Sequence, residues 1–129
     1  MPQAAGTFDV KLTPQPTDDS GIGRMTAEKH YHGDLDGTAK GQMLTAMTSV
    51  KESAGYVAEE KVTGALRGRK GSFMLQHTGV MTRGTPHLNV TIVPDSGTGE
   101  LAGIAGSMTI QIEAGVHRYV IDYTLPDGK

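Results

Sequence analysis

Two charged side chains, Lys29 and Glu60, each fall on the apolar face of a predicted strand, residues 23–31 and 55–66 respectively. Successive strand residues point to opposite faces, so both side chains are expected to aim at the interior. An isolated charge in a dry core is costly, and we therefore expect the two to pair or to line a water-filled cavity. There Glu60 can act as a general base, or Lys29 as a desolvated amine, because burial shifts pKa values toward neutrality. A structural salt bridge, or one residue facing solvent, is the alternative interpretation.

Histidine and tyrosine side chains of the same inward parity extend this polar set. An imidazole titrates near neutral pH, so His77 and His117 can transfer protons or bind a ligand oxygen. The alternative is a core histidine whose ring nitrogens bond to neighbours. A barrel of about eight strands has room for one small ligand, which these side chains would surround. We predict catalytic roles for Glu60, Lys29 and His117, and ligand-binding roles for Tyr31, Tyr56, His77, Tyr119, Tyr123, Met25 and Met108.

Three further patterns indicate turns and surface rather than a site. Glu28, His30 and His32 alternate on one strand face at a spacing that can hold a divalent metal, but that face is predicted to be solvent-exposed, and no metal is assigned. The glycine-rich run 95–100 lacks the lysine and the helix of a phosphate loop, so a turn at the barrel rim is expected. The basic residues of segment 67–70 can contact an anion, but a solvated hairpin tip is favoured.

Eight strand-like stretches with turn residues between them must position these side chains, and no helical period persists beyond about two turns. The turns are rich in Gly, Asp and Pro, which favour tight reversals. A short helix over residues 40–50 is the alternative to the third strand. The predicted strands are residues 6–13, 23–31, 41–48, 55–66, 71–81, 87–93, 106–113 and 116–125. They predict an all-β fold, a small antiparallel barrel of about eight strands.

Length and composition exclude several classes of protein. The 129 residues fit one domain, assigned to residues 1–129, and a net charge of -2 gives no footprint for nucleic acid or anionic membranes. The chain has no cysteine, which removes disulfides and thiolate chemistry and fits a reducing compartment. Residues 1–12 lack a secretory signal and no apolar run is long enough to span a bilayer, so a cytoplasmic, bacterial-type protein is expected.

Several motifs resemble a bacterial family of unknown function with a barrel similar to allene oxide cyclase. They are HGDL at 32–35, GYVAEEKVTGALRGRKGSFMLQHTG at 55–79, MTRG at 81–84, VPDSGTGELAG at 93–103 and GVHRY at 115–119. The resemblance implies a small antiparallel barrel that holds apolar substrates inside it or at its mouth. No motif match places the catalytic residues of the plant cyclases on this chain.

The function predicted from the sequence is binding of a small apolar or amphipathic metabolite in the barrel, without a cofactor. Such a barrel can act as a cyclase or isomerase by holding the ligand in one shape. A carrier without catalysis, or an oligomeric structural or stress-related module with a filled barrel, are the alternatives. The outward apolar residues Val57 and Met74 predict a homo-oligomer, a dimer or a trimer.

Overall fold

The computed structural model describes residues 2–126, which form a closed antiparallel barrel of eight strands. Each strand pairs with the next one along the chain, and the last strand returns to pair with the first. The strands are β1 (Gln3–Pro14), β2 (Ile22–Gly33), β3 (Leu35–Met47), β4 (Ala54–Leu66), β5 (Arg69–Thr82), β6 (Thr85–Ile92), β7 (Ala105–Glu113) and β8 (Val116–Thr124). The predicted all-β class and strand count are confirmed.

The reversal between β2 and β3 falls in the predicted polar segment 33–37, since Tyr31 and Gly37 are the last partners between the two strands. Only Asp34 separates the two strands, so β3 begins at Leu35 and not at residue 41. Asp34 fixes this reversal because its carboxylate accepts a hydrogen bond from the Ala5 backbone amide at 2.9 Å and its carbonyl accepts one from Arg67 at 2.8 Å. The helix alternative for residues 40–50 is wrong, since β3 pairs with β2 through Ala46 and with β4 through Met47.

Two glycines allow the long strands β3 and β4 to approach closely where they bend. Gly37 and Gly64 are partners in the register. A Cβ atom on Gly37 would overlap the carbonyl oxygen of Thr63, and one on Gly64 would overlap that of Asp36. Any larger residue would push the strands apart here, which explains why glycine occupies both positions.

The predicted inward parity is confirmed on every strand for which it was made. The inward side chains of the half of the barrel near the β2–β3 turn are large and fully buried. This half therefore has a dry core of ordinary packing. Its main members are Tyr31, Leu35, Val62, Leu66, Phe73, Leu75, Ile92, Leu101, Ile104, Tyr119 and Ile121.

The connection between β6 and β7 plugs this closed end. It contains one 3-10 turn, Gly99–Leu101, and it buries Leu101 and Ile104 in the core. Hydrogen bonds from the Ser72 and Met74 amides to the hydroxyl groups of Thr98 and Ser96 hold the connection against β5. No helix among residues 2–126 is long and apolar enough to cross a membrane.

The other half of the barrel is open because several inward residues of β2, β3 and β4 are small. Ala27 and Gly41 are partners between β2 and β3, and Ala58 on β4 lies opposite Met43. An eight-stranded barrel is just wide enough for side chains to fill, so a layer of alanine and glycine leaves space. The sequence thus builds a barrel that is filled at one end and hollow at the other.

Candidate functional site

A buried carboxylate, that of Glu60, joins three other polar side chains at the boundary between the two halves. Its Oε1 atom lies 2.7 Å from Lys29 Nζ and 2.5 Å from His77 Nε2. Its Oε2 atom accepts a hydrogen bond from the Tyr31 hydroxyl at 2.8 Å. The side chains of Glu60 and Lys29 are only 4% and 11% exposed, so this is an ion pair largely withdrawn from solvent. We call Lys29, Tyr31, Glu60 and His77 the polar floor.

The strand register explains how residues of β2 and β4 meet although β3 runs between them. Lys29 is the partner of Ala39, and Glu60 is the partner of Gly41. Both β3 residues point inward and have little or no side chain. The long side chains on either side therefore pass over β3 and meet above it. His77 lies on β5, two residues beyond Leu75, and Leu75 is the register partner of Glu60.

The partners of Glu60 determine its charge. Burial alone would raise the pKa of this carboxyl group, but the hydrogen bond from His77 and the Lys29 ammonium outweigh it and lower the pKa to about 2. Glu60 is thus an anion at neutral pH and acts only as a hydrogen-bond acceptor. Burial, together with the charge of Glu60, raises the pKa of Tyr31 far above its ordinary value, so its hydroxyl remains a donor.

The anionic carboxylate also assigns the tautomer of His77. Because Glu60 has no proton to donate, Nε2 of a neutral His77 must carry the hydrogen of the 2.5 Å bond. The lone pair then lies on Nδ1, which has no hydrogen-bond partner among residues 2–126. Every fully buried polar side-chain atom in that part of the chain has a hydrogen-bond partner. Because Nδ1 has none, it is not fully buried and contacts space that solvent can reach. The arrangement offers a base whose orientation a carboxylate fixes.

A cavity of about 220 Å³ lies above the polar floor and opens at the hollow end of the barrel. Lys29, Glu60 and His77 reach its base, and most of the remaining lining is apolar. Lys29 is held between cavity and core, with Nζ 4.8 Å from the centre of the Phe8 ring. The other lining residues are Phe8, Val10, Leu12, Ala27, Gly41, Gln42, Met43, Tyr56, Ala58, Glu59, Leu88, Ile110, Ile112 and His117.

One side of this mouth is a seam between β6 and β7. Within residues 2–126 these strands pair only through Val90 with Met108 and Thr91 with Ser107. Beyond that point the strands diverge, and Leu88 and Ile110 line the cavity at the gap. The cavity wall at this seam is therefore formed by side chains, without strand pairing between β6 and β7.

Most of the polar residues predicted for the site lie around this cavity. Lys29 and Glu60 pair directly, while Tyr56, His77 and His117 stand in the wall. His117 packs on Phe8, with ring centres 5.1 Å apart, and makes no hydrogen bond to Glu60 in the described chain. The histidine that bonds to the carboxylate is His77, which was predicted to bind ligand, and not the predicted catalytic residue His117.

Other predicted ligand-binding residues lie away from the cavity. Tyr119, Tyr123 and Met108 are buried in the filled half. Tyr119 has a structural partner there, since its hydroxyl accepts a hydrogen bond from the Leu35 amide and donates one to the His32 carbonyl, both at 2.9 Å. Met25 lies nearer the rim, opposite Met43, and is not part of the lining. Inward parity is common to core and cavity, which is why it did not separate them.

The apolar wall contributed by β1 was missed at the sequence level. Phe8, Val10 and Leu12 alternate along that strand and all three line the cavity. Their shared parity is the signal that identifies them. The small residues Ala27 and Gly41 carry no such signal, because their contribution is the space that they leave.

The alternating residues of β2 that suggested a metal site have other contacts. His30 and His32 stack with ring centres 4.5 Å apart, and His32 Nε2 lies 2.9 Å from Asp9 Oδ2. Glu28 is exposed on the same outer face. Residues 2–126 contain no group of three or more His, Cys, Asp or Glu side chains arranged to hold a metal ion.

Comparison with known proteins places the chain in a family. A solved structure from Shewanella oneidensis MR-1, described as a protein of unknown function from the DUF3224 family, is 48% identical, covers 97% of each chain and has a TM-score of 0.92. No curated protein matches the chain. The model of that family, described as protein of unknown function (DUF3224), matches residues 4–123. The chain therefore belongs to the DUF3224 family.

Proposed function

We propose that this barrel binds a small amphipathic molecule, with the polar group of the ligand on the polar floor and its apolar part against the wall. The observation that carries the proposal is the hollow half of the barrel, whose cavity of about 220 Å³ ends on a buried ion pair. Ligand sites are typically apolar concavities with a few fixed polar groups, which is the composition of this cavity. A fully packed barrel, as a structural module requires, would have no such space.

The polar floor favours a ligand that accepts hydrogen bonds. Lys29 has three ammonium hydrogens, and its contact with Glu60 at 2.7 Å uses one of them. A ligand oxygen at the floor can accept another. Since Glu60 already balances the charge of Lys29, a neutral carbonyl or hydroxyl oxygen is better matched than a full anion.

The size of the cavity limits the enclosed part of the ligand. A water molecule occupies about 30 Å³ of liquid volume, so 220 Å³ corresponds to about seven waters. A small ring or short chain with one oxygen fills that space. Longer molecules would extend through the mouth, where Leu88 and Ile112 are exposed.

The resemblance of motifs such as residues 55–79 to proteins with an allene oxide cyclase-like barrel agrees with an apolar ligand in this position. We propose that subtype of the fold for this chain as well. The carrier and isomerase alternatives share the cavity and differ only in whether the bound molecule is converted.

Calorimetric titration with six- to ten-carbon ketones, alcohols and carboxylic acids tests the proposal. Ala27→Phe fills the cavity without changing the polar floor, and we expect it to abolish binding. Ala105→Phe is the matched control, because Ala105 is exposed on the outer face of β7 near the closed end. Equal binding by wild type and Ala27→Phe, or no binding of any compound to wild type, would contradict the proposal.

We also propose that the chain forms a homo-oligomer through an outer apolar face. Ile22, Leu44, Val57 and Val80 lie on the adjoining strands β2 to β5, line one shallow groove and are 43–55% exposed. A face without charges is self-complementary about a two-fold axis, so a second copy is the expected occupant. Light scattering should give a dimer mass for wild type and a monomer mass for Val57→Glu. A monomeric wild type refutes the assembly and leaves ligand binding unaffected.

A further inference from the structure

The polar floor contains the parts needed to move a proton on a bound ligand. We infer that the barrel isomerises small apolar unsaturated ketones by a 1,3-proton shift, with His77 as the base and Lys29 as the partner of the carbonyl oxygen. The inference rests on the proposed binding function and assigns it a substrate class and a reaction.

His77 has the orientation and the free nitrogen that a general base requires. Its Nε2 atom is fixed on Glu60, and its Nδ1 atom has no partner among residues 2–126 and contacts accessible space. When Nδ1 takes up a proton, the resulting imidazolium lies beside an anionic carboxylate, which stabilises its charge. Glu60 thus acts on the reaction through His77 and is a positioning residue.

Lys29 can stabilise the negative charge that forms on the substrate. Its ammonium group and the imidazole of His77 bond to the same oxygen of Glu60, at 2.7 and 2.5 Å. The distance between Lys29 Nζ and His77 Nε2 therefore cannot exceed the sum of these two distances. Both side chains also line the same cavity, so a ketone bound there with its oxygen at Lys29 can present its neighbouring carbon to His77. A fixed ammonium in a site with little water stabilises an enolate more than water does.

The proposed reaction balances without a second reactant. Nδ1 of His77 removes a proton from the carbon between the carbonyl group and a β,γ double bond. The electron pair of the broken C–H bond forms a double bond to the carbonyl carbon, and the carbonyl π pair moves to the oxygen beside Lys29. The imidazolium of His77 then gives this proton to the γ carbon, where the π pair of the β,γ double bond forms the new C–H bond. The π pair between the carbonyl and α carbons moves to join the α and β carbons, an oxygen lone pair re-forms the C=O bond, and the conjugated ketone is released.

Cyclohex-3-en-1-one is a suitable probe, because its seven non-hydrogen atoms match a cavity of about 220 Å³. Conversion to the conjugated ketone is followed by its ultraviolet absorbance, and binding is followed separately by amide NMR shifts of the full-length chain. We expect wild type to convert the ketone faster than imidazole at the same concentration. His77→Gln should lose about 100-fold or more, as should Lys29→Met.

Two controls separate catalysis from folding. His87→Gln removes a histidine on the exposed outer face of β6 and should keep the wild-type rate. Glu60→Gln should bind the ketone but lose rate, and the ¹⁵N shifts of the His77 ring should show that the Nε2–H tautomer is no longer enforced. A tautomer signal that stays unchanged in folded Glu60→Gln would show that Glu60 does not position His77.

Wild type alone decides the inference even if a variant fails to fold. Ketone binding without conversion beyond the imidazole rate overturns the inference and leaves the proposed binding function in place. Absence of both binding and conversion overturns the inference, and absence of binding across the wider panel of compounds overturns the proposed function too. Conversion that survives in folded His77→Gln shows that His77 is not the base and refutes the assignment.

Discussion

Replacing Glu60 with glutamine should destabilise the barrel by an amount that depends on pH. The carboxyl pKa is lowered from 4.5 to about 2 in the folded protein, so the folded state binds fewer protons than the unfolded state between these values. At 1.36 kcal/mol per pKa unit, the charged form contributes about 3 kcal/mol of stability at neutral pH. Because the folded pKa is depressed, this contribution is present above pH 4.5 and is lost as pH falls toward 2. About 2 kcal/mol of it should be gone by pH 3.

Urea unfolding of wild type and Glu60→Gln at several pH values between 6 and 3 measures this directly. At pH 6 the variant should lose about 3–5 kcal/mol, since removing one partner leaves a buried ammonium unpaired. The difference between the two proteins should shrink by about 2 kcal/mol at pH 3 as wild type loses its own advantage. Glu28→Gln, which removes an exposed carboxylate from β2, is the charge-matched control and should change stability by no more than about 0.5 kcal/mol.

Two results would refute the reasoning about Glu60. A wild-type to Glu60→Gln difference that stays constant from pH 6 to pH 3 would mean that the folded carboxyl group has an ordinary pKa. A double variant, Lys29→Met with Glu60→Gln, that is as unstable as the sum of the two single variants would mean that the ion pair at 2.7 Å contributes no coupling.

Two further substitutions and one hydrogen-exchange measurement test neighbouring contacts. Tyr31→Phe removes a donor to the charged Glu60 and should cost about 1.5–3 kcal/mol in urea unfolding, whereas Tyr56→Phe, whose hydroxyl makes no hydrogen bond among residues 2–126, should cost little. Tyr119→Phe leaves the buried Leu35 amide without its acceptor and should cost about 1–3 kcal/mol with no effect on ligand affinity; reduced affinity would place Tyr119 in the site after all. In hydrogen exchange, β7 amides that point toward β6 beyond Met108 should exchange faster than those that point toward β8, and equal protection would show that the seam is closed.

The sequence was sufficient for the parts of the fold that depend on alternation. Parity along each strand assigned the inward residues, and it placed Lys29 and Glu60 inside before their 2.7 Å contact was known. Burial of two opposite charges then made their pairing the physical expectation. The strand number followed from counting turn signals, and the polar segment 33–37 marked the reversal between β2 and β3, although β3 begins earlier than predicted, at Leu35.

The position of a residue along the barrel axis could not be predicted in the same way. Tyr56 and Tyr119 have equal inward parity, yet one lines the cavity and the other seals the filled end with hydrogen bonds at 2.9 Å. Their levels depend on the register of all eight strands, which in turn depends on hairpin lengths such as that of the reversal between Tyr31 and Gly37. A register shift of two residues at one hairpin would leave every side chain on the same face of the sheet. It would nevertheless move a side chain along the barrel axis, from the core to the cavity.

The same register makes the stability of the barrel depend on its site. Ala39 and Gly41 are small, so Lys29 and Glu60 can meet across β3, and Gly41 with Ala27 leaves the cavity above them. Filling that space would improve packing but close the cavity, while removing the charges would avoid the cost of burying them but remove the carboxylate that orients His77 and the ammonium group at the base of the cavity. A chain selected for stability alone would gain from both changes. This chain instead keeps an ion pair beneath a cavity. The combination is the physical reason to look for a ligand at the boundary between the two halves of the barrel.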